Sequence, residues 1–116
     1  MYGEVAPKSD NYSEPSTINP ILYGTMKAAL ILASRYLSSH LGIKGIRVNS
    51  VSYGPFPSKD VQKNDPKFIK QLSTNTHLRR VGQSEEAGGI VNFLLSEEAS
   101  FITGADISVD GGWTAW

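Results

Sequence analysis

Apolar side chains recur at spacings of three and four residues over the segment 20–41. They stand at Met26, Leu30, Ala33, Leu37 and Leu41. This period is typical of an amphipathic α-helix. Asn19-Pro20 offers a capping side chain and a proline in the first turn, and Gly42 is expected to end the helix. The pattern therefore predicts one long helix from Pro20 to about Leu41.

Strict alternation of apolar and polar residues replaces the helical period in two later segments. Residues 46–52, Ile-Arg-Val-Asn-Ser-Val-Ser, predict a strand of about seven residues that stops at Tyr53-Gly54-Pro55. Residues 106–110, Asp-Ile-Ser-Val-Asp, predict a final strand closed by Gly111-Gly112. Between them, Asp65-Pro66 and Ser84-Glu85-Glu86 are two helix starts, with Asp65 and Ser84 as the capping residues.

The order helix, strand, helices, strand favours an α/β fold in which parallel strands are joined by a helical crossover. Residues 1–19 contain no apolar period and many turn-forming residues, so they are interpreted as a loop. Loops of this length commonly border a functional site.

Composition narrows the partners that this chain can have. Eleven basic residues balance eleven acidic ones, which gives no electrostatic reason to expect a nucleic acid or an anionic membrane as partner. Cysteine is absent, and His40 and His77 are far apart without carboxylates at ligand spacing, so no metal site is expected. With neither a membrane-length apolar run nor a signal-peptide pattern in view, a cytoplasmic location is the expectation.

Tyr23 and Lys27 open the long helix four residues apart, and therefore lie one turn apart on one face. A lysine cation beside a phenol favours its ionised form, which turns a tyrosine into a candidate general acid and base. The alternative is a surface pair with no chemical role.

Four segments together resemble the C-terminal half of the short-chain dehydrogenase/reductase family. They are Tyr23-x-x-x-Lys27-Ala28-Ala29-Leu30, the strand from Gly45 to Val51, the stretch from Leu78 to Glu86, and the end from Ile102 to Gly112. The loop and the C-terminal tail also resemble the gluconate 5-dehydrogenase-like branch. The resemblance implies the C-terminal portion of a Rossmann-like doubly wound parallel sheet. Residues 1–19 would then be an active-site loop, and residues 20–116 part of a single oxidoreductase domain.

The resemblance also assigns residues to a reaction. It implies an oxidoreductase that uses NAD or NADP to interconvert a secondary alcohol and a carbonyl compound, with sugars or sugar acids as substrates. Tyr23 would be the general acid/base, and Lys27 its electrostatic partner and a ligand of the cofactor ribose. Gly54, Phe56 and Ser58 would hold the nicotinamide carboxamide, although Tyr53 departs from the family's proline there. A proline-rich turn without a ligand is the alternative for that segment.

Three further residues receive structural interpretations. Asn49 is expected to tie the first strand to a neighbouring loop, and not to act in catalysis. Trp113 and Trp116 are expected to make a subunit contact in preference to shaping a substrate pocket.

Several family features are missing from the sequence, above all a glycine-rich phosphate loop after a first strand. The chain is therefore expected to lack the N-terminal nucleotide-binding half, to be inactive alone, and to expose apolar surface unless other chains cover it. A homo-oligomer, tetramer or dimer, is the expected assembly. The alternatives are a non-catalytic remnant or oligomerisation module of the same family, and an unrelated small α/β binding domain.

Overall fold

The computed structural model describes residues 1–12 and 18–116. Its helices are α1 (Ile21–Leu41), α2 (Lys59–Asn64), α3 (Pro66–Thr74) and α4 (Gly88–Leu95). Its strands are β1 (Ser50–Tyr53) and β2 (Asp106–Val109). Short 3-10 turns occupy Ser9–Asn11, Gly42–Lys44, Ser84–Glu86 and Glu97–Ala99. The part of loop 1–19 that lies at 13–17 is outside the described residues.

The two strands pair in parallel, with Ser50 opposite Asp106 and Tyr53 opposite Val109. Helices α2, α3 and α4 form the crossover between them. The predicted α/β fold with parallel strands is confirmed. Because side chains alternate along a strand, Ser50, Ser52 and Asp106 share one face of the sheet. Helix α1 packs on that face, where the Ser34 hydroxyl donates to Ser50 Oγ at 3.4 Å.

Strand β1 is shorter than the seven residues predicted, because residues before Ser50 bond to a loop and not to a strand. Gly104 N–H donates to Val48 O at 2.7 Å. Asn49 donates to Ile102 O at 2.9 Å and accepts from Ala105 N–H at 3.0 Å. Asn49 therefore ties the strand to the loop 102–105, as expected from the sequence.

The ends of α1 differ from the prediction by a few residues. Pro20, and not Asn19, occupies the N-cap position, and no side-chain hydrogen bond caps the helix there. Gly42 does not end the helical backbone, since its φ is −57° and the chain continues into the 3-10 turn 42–44. Gly45 (φ 74°) supplies the left-handed residue that stops the chain from winding further.

Helix α1 turns its predicted apolar stripe to the outside. Leu30 is 59% exposed and Leu37 is 49% exposed, whereas the buried residue of the helix is Ser34. The less exposed side of the helix also includes Gly24 and Ser38. The expected exposure of apolar surface is confirmed, and it is concentrated on this helix.

The main core lies between α3 and the C-terminal turn. Leu72, Val81 and Trp113 are buried together, and Phe68 and Ile69 pack against them. The prediction of a subunit contact is wrong for Trp113, which is only 4% exposed and belongs to this core. Trp116 is exposed; its indole N–H donates to Asn75 O at 3.2 Å, and its ring meets His77 edge-on at 4.3 Å.

Helices α2 and α3 begin at capping side chains, whereas α4 does not. Asp65 caps α3 by accepting from Phe68 N–H, as predicted. Ser84 does not cap α4: Gln83 and Glu86 form a reciprocal capping box around a 3-10 turn, and α4 itself begins at Gly88. Helix α2 was not predicted, and it starts directly after Ser58.

Candidate active site

Tyr23 and Lys27 lie in the first two turns of α1, at the edge of a cavity. The Lys27 ammonium nitrogen is 5.5 Å from the centre of the Tyr23 ring. Tyr23 is 44% exposed. The cation therefore lies beside the phenol, as the spacing predicts, and the phenol remains accessible to a small molecule.

The N-terminal loop crosses α1 next to this pair, backbone against backbone. A Cβ added at Gly3 would lie 2.8 Å from the carbonyl carbon of Lys27, and one at Gly24 would lie 2.9 Å from Tyr2 O. The crossing therefore requires glycine on both segments. The amino group of Met1 donates to Tyr53 O at 2.9 Å, which fixes the loop to the end of β1.

A cavity of about 350 Å³ lies between this loop, the first turns of α1 and strand β1. Its walls include Tyr2, Asn19, Tyr23, Lys27 and Gly54. Residues at both ends of the proposed active-site loop thus meet the Tyr23–Lys27 pair in one cavity. The assignment of loop 1–19 to an active site stays a prediction.

The structure separates the three residues that were assigned to the nicotinamide group. Gly54 lines the cavity with Tyr23. The Phe56 ring meets Tyr53 edge-on at 5.4 Å and lines a different, smaller cavity. Ser58 is exposed, and its hydroxyl caps α2 by accepting from Val61 N–H at 3.3 Å. The roles of Gly54, Phe56 and Ser58 in cofactor binding remain predictions.

Gly54 is also the contact between the site and the C-terminal turn. A Cβ at this position would lie 2.5 Å from the Cα of Asp110. Asp110 accepts hydrogen bonds from Gly112 N–H, Thr114 N–H and the Thr114 hydroxyl at 2.9, 2.8 and 2.6 Å. Burial raises the pKa of the Asp110 carboxyl, but these hydrogen bonds outweigh it and hold the pKa below its ordinary value.

The residues around the cavity fit part of a nicotinamide nucleotide. Among the described residues, the Lys27 ammonium has no ion-pair or hydrogen-bond partner. An available cation with three donors, next to a phenol, suits the hydroxyl groups of a ribose. Lys27 would hold that sugar, and Gly54 lines the cavity at the end of β1, where ligands bind in open α/β sheets.

Sequence reasoning did not single out two tyrosines at this site. Tyr2 lines the cavity, and its hydroxyl is 2.9 Å from that of Tyr12. They are ten positions apart in a segment without periodicity, so no spacing rule brings them together. Only the crossing of the loop over α1 reveals the pair.

The described part of the chain gives no support for a membrane-spanning helix or for a metal site. None of its helices combines the length and the apolarity that crossing a membrane demands. Nor does any group of three His, Cys, Asp or Glu side chains within residues 1–12 and 18–116 have an arrangement that could hold a metal ion.

The fold and this motif define a class of protein, and comparison with known sequences identifies it. The profile of the family described as "Enoyl-(Acyl carrier protein) reductase" matches residues 11–114. The chain belongs to the short-chain dehydrogenase/reductase family of oxidoreductases.

Curated relatives are similar over most of this chain. "Isoepoxydon dehydrogenase patN" of Aspergillus clavatus is 38% identical over 98 residues, which cover 80% of this chain and 38% of the relative. "NADPH-dependent reductase BacG" of Bacillus subtilis is 37% identical over 112 residues, covering 87% and 43% respectively. The chain thus spans about two fifths of the length of these relatives.

Solved structures show the same relationship. A short-chain dehydrogenase from Leptospira borgpetersenii with bound NAD+ superposes with a TM-score of 0.86 at 30% identity, over 97% of this chain and 41% of that protein. A gluconate 5-dehydrogenase from Burkholderia cenocepacia, in complex with NADP and tartrate, gives 0.82 at 26% identity, over 99% and 42%. The expected Rossmann-type fold class is confirmed.

Proposed function

We propose that this chain carries the acid/base half of an NAD(P)-dependent oxidoreductase that interconverts a secondary alcohol and a carbonyl compound. The observation that carries the proposal is the Tyr23–Lys27 pair at the rim of a cavity, with the ammonium 5.5 Å from the phenol ring. The cofactors named for the similar structures, NAD+ and NADP, support the cofactor assignment.

When bound, the nicotinamide nucleotide supplies the hydride acceptor or donor. Tyr23 supplies the proton chemistry: its Oη takes the hydroxyl proton of an alcohol in oxidation and gives a proton to the carbonyl oxygen in reduction. Lys27 stabilises the phenolate by its charge and binds the ribose. Gly54 lines the cavity at the end of β1, where the nucleotide would bind.

A sugar or sugar acid is the substrate class that we favour. The gluconate 5-dehydrogenase from Burkholderia cenocepacia holds tartrate, which is a polyhydroxylated acid. The cavity of this chain carries hydroxyl and amide groups from Tyr2, Asn19 and Tyr23, which suits a ligand with several oxygens.

Replacement of Tyr23 by phenylalanine tests the proposal. Oxidation of polyols with NAD+ or NADP+ is followed by the absorbance of the reduced nicotinamide. We expect Tyr23→Phe to reduce turnover by about 10²- to 10⁴-fold, the usual contribution of a general acid/base. Tyr36→Phe is the matched control, because Tyr36 lies on the same helix, is exposed and does not line the cavity. Measurable turnover that is equal in the two variants would refute the role of Tyr23.

A second candidate is a non-catalytic assembly module of the same family, favoured by the apolar stripe that α1 exposes at Leu30 and Leu37. Titration of the chain with reduced nicotinamide nucleotide separates the two functions. Saturable binding that Lys27→Met weakens supports the oxidoreductase, while absent binding together with a stable oligomer supports the module. The oligomeric state and the cytoplasmic location remain predictions.

A further inference from the structure

Two tyrosine hydroxyls meet beside the candidate active site. Tyr2 Oη and Tyr12 Oη are 2.9 Å apart, in a partly buried position. Tyr2 lines the cavity that also contains Tyr23 and Lys27. Tyr2 therefore belongs to the wall of the site, and Tyr12 contacts its hydroxyl from outside the cavity.

The pair is held from two sides. The backbone of Tyr2 is fixed by the loop crossing, in which Gly24 approaches Tyr2 O. The Tyr12 ring packs against Phe68 of α3, with ring centres 6.0 Å apart, and Tyr12 N–H donates to Ser9 O at 3.0 Å. Each phenol is thus positioned by a different part of the fold, and their meeting is a fixed feature of the wall.

A count of protons shows what this pair can offer to a ligand. Two neutral phenols carry two hydroxyl protons, and the bond between them uses one. Within residues 1–12 and 18–116, neither hydroxyl has another protein partner. Burial raises the pKa of Tyr2, and the hydrogen bond to Tyr12 raises it further, so that Tyr2 stays protonated at neutral pH. The pair thus keeps one hydroxyl proton that these residues do not use, and with Tyr12 as the donor it is the proton of Tyr2, at the cavity wall.

We propose that the Tyr2–Tyr12 pair recognises a second oxygen of the substrate by donating this remaining hydrogen bond. The protein would then select alcohols that carry another hydroxyl near the reacting carbon over alcohols with a single hydroxyl. This inference rests on the proposed function, because it places the substrate in the cavity next to Tyr23.

The selectivity expected from one such bond is modest and measurable. A hydrogen bond between neutral groups changes an affinity by about fivefold. Glycerol and isopropanol are suitable probes, since both are secondary alcohols on the same three-carbon skeleton and only glycerol has neighbouring hydroxyls. Each variant gives a ratio of the two dissociation constants. Comparing this ratio between variants cancels the difference in hydration between glycerol and isopropanol.

The experiment is an NMR titration of the full chain, unmodified and as Tyr2→Phe, Tyr12→Phe and Tyr36→Phe, with each probe. We expect Tyr2→Phe to reduce the preference for glycerol by about fivefold. Tyr12→Phe should reduce it less, because Tyr2 keeps its own proton and loses only its orientation. Tyr36→Phe should leave the preference unchanged, and amide spectra verify that each variant is folded.

An unchanged preference in Tyr2→Phe overturns the inference, and so does the absence of any preference or binding in the unmodified chain. A merely structural role of the pair would weaken both probes equally and leave the ratio constant. Failure of the proposed function appears elsewhere: the chain would not bind reduced nicotinamide nucleotide in a way that Lys27→Met weakens, while the glycerol preference could still respond to Tyr2→Phe.

Discussion

Replacement of Gly54 by alanine should loosen the contact between the sheet and the C-terminal turn. The new Cβ would lie 2.5 Å from the Cα and 2.7 Å from the Cβ of Asp110. Neither of these atoms can rotate away, because the backbone N–H of Gly54 bonds to Val109 O at 3.0 Å and the Asp110 carboxylate is held by Thr114. Overpacking of this kind costs about 1–3 kcal/mol of the free energy of unfolding.

Gly42→Ala is the matched control for this change. Nothing lies within 4 Å of a Cβ at Gly42, and its backbone is helical with φ −57°. Alanine at such a position should stabilise the chain by about 0.4–1 kcal/mol, because it restricts the unfolded state. The same chemical substitution is therefore expected to act with opposite signs at the two sites.

Urea unfolding followed by tryptophan fluorescence measures both effects. Trp113 is buried three residues beyond Asp110, so its emission reports on the turn that Gly54→Ala disturbs. The free energy of unfolding should differ by about 1.4–4 kcal/mol between the two variants. If Gly54→Ala proves as stable as Gly42→Ala, the close packing of Gly54 on Asp110 does not control stability, and the reasoning is refuted.

Three further predictions concern charges and the exposed face of α1. Hydrogen bonds from the Arg80 guanidinium at 2.7 Å and from the Gln83 backbone N–H lower the pKa of Glu86 to about 2. The ionised Glu86 therefore stabilises the fold fully above the unfolded pKa of 4.5, and this stabilisation is lost as the pH falls through 2. Acid unfolding curves should show a weaker pH dependence between 4.5 and 2 for Glu86→Gln than for the unmodified chain. Asp110→Asn keeps the shape of the side chain but removes its charge. It should lower the free energy of unfolding in urea by about 1–2 kcal/mol at neutral pH, and by less at a pH below the ordinary aspartate pKa. A loss of stability that does not depend on pH would contradict the role of the charge. Leu37→Glu places a charge on the exposed apolar stripe of α1. If copies of the chain associate through this stripe, the substitution should lower the apparent mass measured by light scattering. The control Lys44→Glu, on the 3-10 turn beyond α1, should leave the mass unchanged.

The sequence was sufficient to predict the elements whose signals are local. The apolar period identified α1, the Asp65-Pro66 start identified α3, and the alternation around Val51 and Ile107 identified the parallel strands. Strand length was not predictable in the same way, because residues 46–49 alternate like a strand, but Val48 and Asn49 make their hydrogen bonds to the loop 102–105. A β-strand is defined by its hydrogen bonds to a partner strand, and the sequence does not show where the partner strand ends.

Burial was the property that sequence reasoning predicted least well. The stripe through Leu30 and Leu37 looked like the inner face of a helix, yet Ser34 lies inside. A helix that is apolar on more than one side has no single period to indicate which side faces the core. Trp113 was misjudged for a related reason: a tryptophan near a chain end has no neighbours in sequence that reveal the turn of Asp110 folding it inward.

The sequence predicted the Tyr23–Lys27 motif of the candidate site, but it did not predict the residues that form the walls of the cavity. Tyr23 and Lys27 are one helical turn apart, so their proximity follows from helix geometry alone. The Tyr2–Tyr12 contact and the cavity around it depend on how a loop without periodicity crosses α1. No local rule predicts such a crossing.

The glycine crossing anchors the start of the loop on α1. Gly3 and Gly24 lock the first residues against α1, so Tyr2 keeps its place beside Tyr23 whatever follows it in the chain. A larger residue at either glycine would push the loop away from α1 and move Tyr2 relative to Tyr23. Under the proposed function, two residues that take no part in the chemistry therefore set the distance between the acid/base pair and the opposite wall of its cavity.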